Sequence, residues 1–74
     1  MTHTVTAELV GNVATVSVQE GDIVTATDML VILESMKMEI PVLAEVAGTV
    51  IEVAVAAGDV LQEGDVIAVI EEAT

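Results

Sequence analysis

The chain has 74 residues, room for one domain, and a domain that small buries only about 60% of its unfolded surface, so its core must be used fully. Hydrophobic residues make up 54%, with no Phe, Tyr, Trp or Cys, which excludes an aromatic core, disulfides, thiolate catalysis and cysteine zinc sites. Thirteen acids against one Lys and no Arg give a net charge of −12, which excludes nucleic acid and anionic membranes as partners.

The N-terminal residues Met1-Thr2-His3-Thr4 show no basic region followed by an apolar run, and no stretch is apolar for membrane-helix length, so a cytoplasmic location is expected. His3 lies near a terminus expected to fray and reads as a passive tail residue. From Gly11 to Val18 the pattern becomes strand-like, with Val16 and Val18 two residues apart. Gly21-Asp22 is turn chemistry, since Gly accepts positive φ and Asp bonds its neighbouring backbone. Leu30–Leu33 is a continuous apolar run of strand length. The stretch Met29 to Glu39 is also rich in helix formers, and Thr25-Ala26-Thr27-Asp28 ahead of it resembles a capping box.

The second half of the chain decides between strand and helix. A shift of 37 residues lays residues 11–34 on residues 48–71, and eight of those 24 pairs are identical. Gly11 falls on Gly48, Gly21-Asp22 on Gly58-Asp59, Asp28 on Asp65 and Glu34 on Glu71. Internal repeats fix architecture, and two copies imply a pseudo-symmetric domain and not a solenoid. The counterpart of the ambiguous segment, Val66–Ile70, is β-branched and too short for a helix, so both copies read as strands. Frequent short strands with turn signals between them imply an all-β sandwich or barrel spanning residues 1–74 as one domain.

Between the copies lies Ser35-Met36-Lys37-Met38, then Ile40-Pro41-Val42, which continues as a strand; Pro41 belongs at an edge or a strand end. The connection lacks the Asn-Gly or Asp-Gly of two-residue hairpins, so a tight turn there would place backbone strain on Met36 and Lys37. Lys37 is the one Lys or Arg of the chain, and apolar residues flank it on a turn that should be exposed. A lone lysine is ordinarily a solvated charge and a Met pair ordinarily core filler. An apolar pair on an exposed tip marks a contact with something else.

Met36-Lys37-Met38, preceded by Glu34, resembles the attachment motif of biotin carrier domains, whose usual form is Glu-Ala-Met-Lys-Met. The resemblance runs from about Glu8 to Glu71 and takes in Gly48-Thr49-Val50, the Gly-Asp turns and Gly64-Asp65-Val66-Ile67. Ser35 replaces the common Ala, the Pro-containing opening of the family is replaced by Ala7-Glu8-Leu9-Val10-Gly11, and no thumb insertion is visible. The resemblance implies a flattened barrel of two four-stranded antiparallel sheets related by a pseudo-twofold, with the lysine at a hairpin tip. It implies a free-standing, non-catalytic carrier subunit of a biotin-dependent carboxylase. Its cofactor is biotin, bound covalently to Lys37 by a biotin protein ligase. Glu34, Ser35, Met36, Met38 and Glu39 frame the lysine for that ligase. The partners implied are a biotin carboxylase and an acyl-CoA carboxyltransferase.

Three other readings compete. A lipoyl carrier shares the fold and the tip lysine, but Met on both sides favours biotin. Asp22, Asp28, Asp59 and Asp65 could ligate a hard cation, yet each has a backbone role at a turn and their spacing matches no EF-hand loop. The third is an interaction module with Lys37 unmodified. The acid excess reads as solubility for an apolar chain, or as steering toward a basic docking surface.

Overall fold

The computed structural model describes residues 1–73, so Thr74, the last residue of the expected domain, lies outside the described residues. The strands are β1 (Thr2–Thr6), β2 (Gly11–Val16), β3 (Ile23–Val24), β4 (Met29–Ser35), β5 (Met38–Leu43), β6 (Gly48–Val53), β7 (Val60–Leu61) and β8 (Val66–Glu72). There is no helix among the described residues. They form two four-stranded antiparallel sheets, ordered β1-β8-β6-β3 and β5-β4-β2-β7. Each sheet draws two strands from each half of the chain, so neither half closes a core alone. Pro41 sits in β5, an edge strand, where its missing N–H breaks no ladder.

The 37-residue repeat is visible in packing. β4 and β8 share one burial pattern, with Leu30, Val31 and Leu33 buried in the first and Ile67, Ala68 and Ile70 in the second. Two consecutive residues turn inward because a bulge shifts the register at Leu30, and its counterpart lies opposite β1. The repeat reaches further than residues 11–34 and 48–71: Ala7 and Ala44 are both buried, and β1 corresponds to β5. The core holds only aliphatic side chains, and each fully buried Leu, Ile or Val contributes about 1.5–3 kcal/mol.

Three expectations shift in detail. Val18 and Val55 continue the period of two, but β2 and β6 end at Val16 and Val53; both valines still pack on or into the core. The capping-box pattern at Thr25–Asp28 is a turn. The Asp28 N–H donates to the Thr25 carbonyl at 3.0 Å, and Asp28 Oδ2 accepts from the Thr25 N–H at 2.9 Å. The same reciprocal clamp recurs at Gln19–Asp22, Ala56–Asp59 and Gln62–Asp65, which gives all four aspartates the backbone role expected of them. Finally, His3 is not a frayed tail residue. It lies within β1 opposite Ile70, because the Glu72 N–H donates to the Met1 carbonyl and holds the terminus in the sheet.

The molecule measures 37 × 18 × 17 Å, and its two ends are distinct. At one end β4 turns directly into β5. At the other, β8 finishes beside the start of β1. β1 runs from that second end toward Gly11, whose side packs against Ser35 at the first.

Candidate functional site

The hairpin tip is set by pairing. Ser35 faces Met38 and Glu34 faces Glu39 in the register of β4 with β5, so Met36 and Lys37 are the whole connection. Both take positive φ, 52° and 64°, the backbone of a type I′ turn. That turn matches the right-handed twist of the flanking strands, and Asn-Gly adopts it cheaply. Here two residues with full side chains adopt it, at about 1–2 kcal/mol each. The conditional strain read from the sequence is therefore present.

The strain has a geometric result. Met36 and Lys37 project from the end of the molecule, with Met36 90% exposed and Met38 57% exposed. Lys37 itself is exposed, and the ion pairs found among the described residues, Met1–Glu71 and His3–Glu45, leave it out. Glu34 and Glu39, both exposed, stand directly opposite each other at the base of the tip. Like charges so placed destabilise a ladder slightly, and the one lysine, three residues after Glu34 and two before Glu39, supplies the positive charge nearest in the chain. The two methionines differ. Met38 shares a strand face with the half-buried Ile40 and Val42, whereas Met36 stands almost fully exposed. Thus the structure brings Glu34, Ser35, Met36, Lys37, Met38 and Glu39 together at one tip, and an exposed amine on a narrow projection can enter a cleft on another protein.

One feature of the molecule was not legible from motifs. A groove of about 250 Å³ opens at the seam between β1 and β5, lined in part by Leu9, Leu33 and Ile40. It joins edge strands far apart in sequence, and the sole signal for it was the repeated Ala-Glu of Ala7-Glu8 and Ala44-Glu45.

Comparison with known proteins agrees with this geometry. Residues 2–70 match the family model described as "Biotin-requiring enzyme". A biotinylated protein TB7.3 homolog of Mycobacterium leprae is 60% identical over 43 residues, which cover 58% of this chain and 61% of that protein. The matched stretch thus spans under two thirds of the curated relative's length. Among solved structures, a single-chain, multi-domain long-chain acyl-CoA carboxylase superposes with a TM-score of 0.91 at 33% identity, over 97% of this chain and 7% of that one. The lipoyl domain of the 2-oxoglutarate dehydrogenase complex from Azotobacter vinelandii superposes at 0.77 with 24% identity, over 95% and 99% of the two chains, a likeness of fold. By fold, repeat and relationship the chain belongs to the biotin- and lipoyl-attachment family.

Proposed function

We propose that Lys37 is the residue that carries biotin. The observation behind this reading is the apex itself: the chain's one lysine, exposed on a left-handed two-residue turn, between exposed methionines. In the reaction a biotin protein ligase presents biotin as its adenylate. Lys37 Nζ, once deprotonated, attacks the acyl carbon; the new C–N bond forms as the acyl–phosphate bond breaks and AMP leaves. The resulting amide removes the one lysine cation and makes the tip anionic. Glu34, Ser35, Met36, Met38 and Glu39 form the frame by which the ligase selects this lysine. Bound biotin supplies a ureido ring that accepts and donates a carboxyl group.

In this reading the chain is non-catalytic. Its rigid barrel presents a tethered ring, raising the ring's effective concentration at a biotin carboxylase and then at an acyl-CoA carboxyltransferase. The acid excess keeps an apolar chain soluble and the location is the cytoplasm. The test is intact mass with and without biotin protein ligase and biotin. The expected result is one biotinyl increment on the native chain and none on Lys37→Arg, with the circular-dichroism spectrum unchanged. An increment that survives in Lys37→Arg overturns the assignment.

A further inference from the structure

We propose that the groove at the β1–β5 seam is a resting site for the biotin ring on Lys37, a proposal that rests on the attachment read above. The groove breaks the symmetry of the fold. The pseudo-twofold relates β1 to β5, so it should make the groove equally open toward both ends of the molecule. It does not. Its lining includes Leu9, Leu33 and Ile40, but among the described residues not their counterparts Val46, Ile70 and His3. The groove therefore opens toward the lysine end.

His3 is the cause of the asymmetry. It stands where the other half has Ile40. Its Nε2 is buried without a hydrogen-bond partner, 3.8 Å from Glu45 Oε1, whose residue turns through a positive φ of 69°. The imidazole takes the far position of the seam, and the exposed Glu45 lines the groove beside it. In the near half Ile40 is shorter, and Glu8, the counterpart of Glu45, has no histidine to face.

Reach and chemistry both fit the tethered ring. Three extended residues separate Lys37 from Ile40, about 10 Å at strand rise. A biotinyl-lysine arm has about eleven bonds from Cα to its bicycle and spans about 14 Å extended at ordinary bond lengths. Met38, Ile40 and Val42 lie on one face of β5, so an apolar path leads from the tip into the groove. Leu9, Leu33 and Ile40 offer aliphatic cover for the ring, and the Glu8 carboxylate can accept its ureido N–H groups. A ring that carries a transferred carboxyl group brings a negative charge toward Glu8 and is repelled. The groove thus holds the unloaded arm and releases the loaded one.

The experiment uses the full chain biotinylated by ligase, with occupancy read by intact mass. Nuclear Overhauser effects from the ring protons to the Leu9, Leu33 and Ile40 methyls are expected. Ile40→His, which copies the far half, should abolish them. A ring parked for three quarters of the time is captured by avidin at one quarter of the free rate, so the same variant should raise that rate up to about fourfold. Glu8→Ala, on the exposed rim, should weaken the effects without disturbing the core. A fully biotinylated chain whose ring shows no contact with those methyls overturns the resting site and leaves the attachment reading intact. Dimerisation of the unmodified chain through Leu9 and Ile40 also overturns it, by giving the groove to a second copy. A chain that takes no biotin overturns both readings.

Discussion

The two ends of the molecule are built on one pattern and finished differently. At the lysine end, β4 passes into β5 through Met36 and Lys37, both forced to positive φ. At the other end, β8 lies beside β1 with the same burial pattern in its strand, but no residue bridges them. There the Glu72 N–H donates to the Met1 carbonyl, and the terminal amine stands 3.8 Å from Glu71. The fold therefore needs the strand pairing and not the strained turn. What the turn adds is a fixed projection of one amine beyond the barrel, and its strain belongs to the site and not to the barrel.

The largest difference between the ends should appear at the two glycines that open β2 and β6. A Cβ on Gly48 would run into the Glu71 carbonyl, with β8 backbone behind it. A Cβ on Gly11 would meet the Glu34 carbonyl at 2.9 Å and Ser35 Cβ at 3.4 Å, a milder conflict. Gly48→Ala should lose about 3 kcal/mol and Gly11→Ala about 1 kcal/mol, read by urea denaturation. Equal losses would show that the two ends tolerate crowding alike and would dissolve this part of the comparison. The Gly11 variant carries a second expectation: a small push on Ser35 reaches the turn, so its biotinylation should slow while that of any folded Gly48 variant does not.

The repeat makes most of the fold readable in the sequence. Identities on Gly, Asp and Val at a spacing of 37 placed the turns, and the β-branched Val66–Ile70 settled the ambiguous Met29–Glu39 segment as strand. The lysine tip was readable because composition left one lysine in the chain. Other features were hidden for physical reasons. Bulges at Leu30 and Ile67 depend on pairing across strands, which a single-strand periodicity does not carry. His3 looked like a tail because nothing in its local sequence shows that Glu72 anchors Met1. The seam groove required knowing that β1 and β5 are both edges.

A smaller effect sharpens the claim about strain. Met36→Gly removes a side chain from a left-handed position. Relief of about 1–2 kcal/mol is partly offset by the greater entropy glycine loses on folding, about 0.5–1 kcal/mol. The net expectation is a gain of about 0.5–1 kcal/mol in thermal or urea denaturation, with slower biotinylation. A variant that loses stability would mean that the tip is not under strain, and the contrast between the ends would rest on sequence alone.

The smallest stability effects belong to Met36→Ala and Met38→Ala, and they carry the argument about recognition. Met36 is exposed and touches no core residue, so its truncation should change stability by less than about 0.5 kcal/mol. Met38 shares a face with Ile40 and is partly covered, so its truncation should cost somewhat more, still under about 1 kcal/mol. If the pair frames the amine for the ligase, both variants should be biotinylated more slowly, by about tenfold where a methionine fills a ligase pocket. Stability and rate must be measured on the same preparations, because a loosened hairpin would slow the reaction for another reason. Normal rates in both variants would remove the methionines from recognition. A slow Met38→Ala with a normal Met36→Ala would assign selection to the side of the hairpin that faces the groove, and would make the two sides of a single turn as unlike as the two ends of the barrel.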